Sequence, residues 1–178
     1  MNVAELLADG FSRVRDVVHE VVGGLSADQL AHRPQPDANS IGWLIWHLTR
    51  VQDDHVAEVA GAEQAWLADG WAGRFGLPFD DRATGWSHSA DEVGAFRVAD
   101  GGLLTGYHDA VYARTLEYVR TLTELDLDRI VDTRWDPPVT LGVRLVSVID
   151  DDAQHAGQAA YLRGLSQPEG GRGAPPGR

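Results

Sequence analysis

The sequence predicts an all-α fold, a four-helix bundle with a long connection between helices 2 and 3. Apolar residues recur at spacings of three and four along four long stretches. Capping residues, glycines and prolines bound those stretches, and no segment shows convincing strand alternation.

The first helix is expected from Val3 to Val22, where Leu7, Phe11, Val14, Val18 and Val21 form one apolar face and Gly23–Gly24 stops it. Ser26 and Gln29 have the spacing of a capping box for a short helical turn, closed by the Pro34–Pro36 stretch. Asn39 and Ser40 suit the start of a second helix, Ile41 to Ala60, whose apolar arc contains Ile41, Leu44, Ile45, Leu48, Val56 and Val59. From Gly61 to Ser87 the periodicity dissolves, and the reading is a long excursion with short helices at most. It is either a lid or a loop covering one side of the core.

Ser89 and Glu92 form another capping box. Phe96, Leu103, Tyr107, Val111, Tyr118 and Leu122 then extend one helical face from Ala90 to about Leu122. Gly101–Gly102 falls inside that stretch, as a kink or a close helix approach. Trp135-Asp136-Pro137-Pro138 excludes helix, and Thr140 caps a last helix from Leu141 to about Leu165. Residues 1–166 thus form one domain, with a disordered Gly/Pro-rich tail over 167–178.

Composition narrows the chemistry. There is no cysteine, so any metal must be held by His, Asp, Glu or backbone oxygen. A net charge of −12, without a basic cluster, argues against a nucleic-acid partner. No apolar run approaches the length a membrane-spanning helix needs, and the first helix lacks the pattern of a secretory leader, so the expected location is the cytoplasm. All fifteen basic residues are arginine, which with heavy use of alanine, glycine and aspartate looks like a high-GC bacterial coding bias.

Asp151 and His155 are four apart in the last helix, about 40° apart around its axis and roughly 6 Å along it, so both can converge on one point. Asp152 lies on the other side of the same stripe, and Asp150 points away. This pairing makes a half-site for a hard or borderline metal, although Asp150-Asp151-Asp152 also reads as a solvated acidic face. In the second helix His47 sits at the edge of the apolar arc, where a hydrogen-bonded core histidine and a ligand are both open. His55, with Asp54 beside it, is its rival. His19, His32, His88 and His108 read as surface or helix-flank residues. Trp43, Trp46 and Trp135 are either core or the walls of a pocket.

The segments Asn39-Ser40-Ile41-Gly42-Trp43-Leu44-Ile45-Trp46-His47-Leu48 and Asp151-Asp152-Ala153-Gln154-His155-Ala156-Gly157-Gln158 resemble the DinB-like superfamily. The wider resemblance runs from about Val3 to Leu165 and is narrowest to the actinobacterial mycothiol transferases, which the lysine-free composition suits. It implies a divalent metal inside a four-helix bundle, with His47 as the second-helix ligand and His155 as the last ligand. Asp151 falls where the family usually has another histidine, leaving two histidines and one carboxylate, a set that zinc above all, but also nickel, manganese or iron, accepts. Asp152, His55 and Asp54 are then supporting groups or alternative ligands. The implied activity is a metal-dependent thiol S-transferase in which mycothiol, made nucleophilic as its thiolate, is conjugated to a small electrophile. Metal-assisted hydrolysis and a non-catalytic metal-binding bundle in a stress response are the alternatives. A homodimer is compatible with all three.

Overall fold

The computed structural model describes residues 1–166, so the tail expected over 167–178 lies outside the described residues. Four long helices form the bundle: α1 (Val3–Val22), α3 (Ile41–Ala60), α7 (Gly101–Val119) and α8 (Leu141–Ser166). Four short ones, α2 (Ala27–Ala31), α4 (Ala65–Ala68), α5 (Trp71–Phe75) and α6 (Ala90–Ala95), lie in the connections. The α7–α8 connection holds a 3-10 turn at Glu124–Asp128 and a small antiparallel hairpin of β1 (Ile130–Asp132) and β2 (Val139–Thr140).

Each of α1 and α3 packs against both α7 and α8, so α1 and α3 are diagonal partners. Cross-contacts fix the directions. Ser12 meets Tyr112 and Arg15 meets Asp109, so α1 and α7 are antiparallel. Thr49 meets His108 and Gln52 meets Thr115, so α3 and α7 are parallel. Two consecutive parallel helices require the chain to return along the bundle, which is why the connection over 61–100 is long. Buried side chains of α3 fasten it. Asp53 accepts the backbone N–H groups of Ala65 (2.9 Å) and Trp66 (2.8 Å) at the start of α4, together with the Tyr107 hydroxyl (2.8 Å). Arg50, fully buried, donates from Nε to the Ala83 carbonyl (3.0 Å) and lies 4.9 Å from the Trp66 ring. The excursion from Gly61 is therefore an anchored cover rather than a free lid.

The local signals explain most helix ends. Asn2, Ser26 and Ser89 close capping boxes with Glu5, Gln29 and Glu92, and Ser40 accepts from the Trp43 N–H. Gly61, at φ 65°, ends α3 in the left-handed conformation. The apolar residues expected to face inward on α1 and α3 are all buried.

The continuous helix expected from Ala90 to Leu122 is instead two helices. The chain turns extended at Phe96, and Asp100 restarts it by accepting from the Gly102 N–H (2.7 Å). Phe96 and Val98 fill the core from the extended link, so the apolar pattern runs on while the helix does not. Gly101 is the first residue of α7 and no kink. A Cβ there would come within 2.5 Å of Val22 Cγ1, so glycine permits close approach to the end of α1. The strand pair was also unexpected; Trp135-Asp136-Pro137-Pro138 is its turn, with a cis bond between Asp136 and Pro137.

Candidate metal centre

Side chains of α3 and α8 meet at mid-bundle. His47, Asp151 and His155 each offer a ligating atom, and these atoms lie within 4.8 Å of one another. The α3–α8 packing that joins them is antiparallel, with His47 opposite His155 and His55 opposite Arg144.

His47 is buried and held on two sides. Its ring stacks on Trp43 at 4.7 Å between centroids, and its Nδ1 donates to the Thr84 carbonyl (2.6 Å). With Nδ1 so occupied, Nε2 keeps the free lone pair. The crossover reaches this close because residue 85 is glycine: its φ is +92°, and a Cβ would lie 2.7 Å from His47 Nδ1. Burial pushes the His47 imidazole below its ordinary pKa, against the raising effect of the Thr84 hydrogen bond, and favours the neutral ligand form.

His155 is arranged alike. Its Nδ1 donates to Gln158 Oε1 (3.1 Å), while Nε2 lies 3.5 Å from Asp151 Oδ1. The Asp151 hydrogen bond raises the His155 pKa despite burial. Burial alone would push Asp151 upward, but its hydrogen bond with His155 and the nearby histidines hold it below the usual carboxylate value. Its other oxygen, Oδ2, is buried with no partner. An unpartnered carboxylate oxygen beside two oriented imidazoles fits a divalent cation, and three protein donors leave coordination positions open to a small molecule.

The other nominated residues fall outside this group. Asp152, one residue and about 100° further round α8, is wholly buried in the bundle interior, where burial raises its pKa well above the usual range. It is not placed to join the three. Asp54 accepts from Gln64 Nε2 (2.6 Å), and His55 Nδ1 accepts from Arg144 Nη1 (3.0 Å). Both line the cavity without entering the ligand group. Trp43 and Trp46 are core residues, whereas Trp135 is 67% exposed at the cavity rim. His108 is no surface residue: it is fully buried, its Nδ1 3.1 Å from Thr49 Oγ1, and burial lowers its pKa to about 4. His88 is half-buried rather than exposed, accepts from Trp43 Nε1 (3.3 Å) and stacks on Trp46.

A cavity of about 700 Å³ opens beside His47 and Asp151 and runs to the hairpin. Its far end holds an ion network that the sequence did not reveal. Buried Arg144 donates to Glu58 (2.6 Å) and Asp132 (3.1 Å), and Arg134 binds both oxygens of Asp132 (2.9 and 2.8 Å). Hydrogen bonds from Arg134 hold the Asp132 carboxyl far below its usual pKa. Trp86, 83% exposed, flanks the opening and was likewise missed. Only the short Asp-x-Arg spacing at 132–134 hinted at any of this.

A bundle with a long crossover between its second and third long helices, carrying a His/Asp/His group where α3 faces α8, is a DinB-like architecture. The chain belongs to the mycothiol-S-transferase family, whose model matches residues 6–168. Among solved structures it is similar to a conserved protein from Enterococcus faecalis, at 33% identity and a TM-score of 0.87, over 93% of this chain and 97% of that one. Comparison with curated protein sequences finds no significant match.

Proposed function

We propose that this protein is a divalent-metal-dependent S-transferase that conjugates mycothiol to small electrophiles. The observation that carries the reading is the convergence of His47, Asp151 and His155, with both imidazoles turned by oxygen acceptors on Nδ1. A divalent cation held by these three, zinc favoured and nickel, manganese or iron compatible, would stabilise thiolate over thiol near neutral pH. The residues do the rest. Thr84 and Gln158 hold the two rings, the Trp43 face packs against His47, and the cavity gives a thiol and an electrophile room to meet.

This chemistry needs no side-chain nucleophile, which suits a chain without cysteine or lysine. Hydrolysis would need a free base near the group. The Nδ1 lone pair of His55 is taken by Arg144, Asp152 is buried in the bundle, and Asp54, which accepts from Gln64 through one oxygen, lies outside the ligand group. The family's name and the reduced thiol it implies also favour the cytoplasm. The test is conjugate formation from mycothiol and an electrophile panel, with and without chelator, alongside elemental analysis of the purified protein. Chelator-sensitive conjugation is expected. Conjugation indifferent to chelation, or none with any thiol, would reject the transferase.

A further inference from the structure

We infer that the hairpin end of the cavity is a polyol subsite, with Trp135 as its platform and the Asp132–Arg134–Arg144 network as its hydroxyl-binding wall. The inference rests on the transferase reading for its substrate, but its own support is geometric.

The cavity is a trough along α8. Asp151 lines it at the metal centre and Val143 lines it at the hairpin, eight residues and about 12 Å away along the helix. A molecule whose sulfur reaches the centre and whose body follows the trough therefore ends between Trp135, Val139 and Arg134. Mycothiol has that shape, with a thiol on an acylated cysteine at one end and two polyhydroxylated six-membered rings, a glucosamine and an inositol, at the other.

The charge at the hairpin end selects among ligand chemistries. Arg134 and Arg144 face Asp132 and Glu58, so two guanidiniums are matched by two carboxylates. A subsite for phosphate or carboxylate would leave a guanidinium without an acid partner. Here Asp132, whose two oxygens already accept four hydrogen bonds, holds Arg134 in place and leaves its Nη1 as a donor. The Ser147 hydroxyl on the same cavity donates to the Val143 carbonyl and keeps its lone pairs to accept. A hydroxyl, which both donates and accepts, can use both. The strongly acidic surface of the protein does not oppose such an uncharged ligand.

Trp135 supplies the complementary apolar contact. It sits in the hairpin turn, 67% exposed, on the cavity rim. A tryptophan kept so far in solvent leaves a broad face that the C–H side of a sugar or cyclitol ring covers, while the ring's hydroxyls turn to the ionic wall. Trp86, on the crossover, lines the same cavity from its other rim. The reacting end and the selecting end of the substrate are thus read by different parts of the chain, α3 with mid-α8 and the β1–β2 turn.

The experiment titrates N-acetylglucosaminyl-inositol, the thiol-free part of mycothiol with its amide kept and so uncharged, into the full-length protein by calorimetry, with chelator present throughout. Binding is expected without metal, and Trp135→Ala should weaken it at least tenfold. Arg134→Ala, which removes a mostly exposed side chain, should weaken it independently. Thermal melts check that both variants stay folded. In turnover, both variants should lower the preference for mycothiol over N-acetylcysteine, as a ratio of kcat/KM, at least tenfold. Fragment binding that the substitutions weaken, in a protein that forms no conjugate, would uphold the subsite and reject the transferase. No fragment binding by the wild type, or equal binding by both variants, would overturn the subsite even if conjugation proceeds.

Discussion

Replacing Gly85 by alanine probes the metal centre without touching a ligand. Residue 85 has φ +92°, where a side chain costs about 1–3 kcal/mol of backbone strain. Its new Cβ would sit 2.7 Å from His47 Nδ1 and 3.0 Å from Trp43 Cζ2, so the crossover must lift away from α3. Lifting breaks the bond from His47 to the Thr84 carbonyl, worth about 1 kcal/mol. The expected loss of stability is therefore about 2–4 kcal/mol. Loss of the group that orients a ligating imidazole lowers metal affinity roughly 10–100-fold.

The assay is zinc affinity by competition with a chromophoric chelator, with urea denaturation measured in parallel. Gly24→Ala is the control. Gly24 also has positive φ, +75°, but a Cβ there meets nothing within 4 Å, so it adds strain without contact. Gly24→Ala should lose stability and keep its metal affinity, whereas Gly85→Ala should lose both. Equal zinc affinity in Gly85→Ala and wild type would show that Thr84 does not orient a ligand.

Three further outcomes are expected. His155→Ala should abolish metal retention, read by elemental analysis, and leave helicity intact, because the apolar faces of the four long helices carry the bundle. Asp151→His should keep or tighten zinc binding, since it restores the three-histidine pattern; collapse of binding would remove Asp151 from the ligand set. His108 makes stability fall in acid: its folded pKa is about 4 against an ordinary 6.5, so the unfolded chain binds more protons between those values. Stability should drop as pH falls through that window, by up to about 3 kcal/mol, and His108→Gln should flatten the dependence measured by urea denaturation.

How much was legible depended on how local the signal was. α1 and α3 lie where periodicity and caps placed them, because Ser40, Gly61 and the inward-facing residues act within a turn or two. His47, Asp151 and His155 were nominated by helical spacing and family resemblance, although their meeting depends on α3–α8 packing. The errors share one cause, tertiary context overriding a local pattern. Phe96 and Val98 continue the apolar rhythm across a break because they reach the core from extended chain. A hairpin of three residues against two carries too little alternation to register. His108 looks like any helix-flank histidine until Thr49 of another helix covers it. Arg144 finds its partners 12 and 86 residues away in the chain.

Asp151 and Asp152 show how one helical step sets the charge of the centre. The rotation between neighbours, about 100°, turns Asp151 toward His155 and the cavity and sends Asp152 into the bundle. Burial there favours the uncharged carboxylic acid, so Asp152 adds no anion beside the metal donors. With a divalent cation held by His47, Asp151 and His155, both imidazoles would be neutral and the Asp151 carboxylate would make the donor set −1, leaving a net positive charge on the centre. That remaining charge would lower the pKa of a thiol brought to the centre. Histidine at 151 would leave a larger positive charge and lower it further. On the proposed transferase reading the aspartate would moderate thiol activation while keeping three donors, and Asp151→His should shift the pH profile of conjugation to lower pH. An unshifted profile would mean that the charge at residue 151 does not reach the thiol.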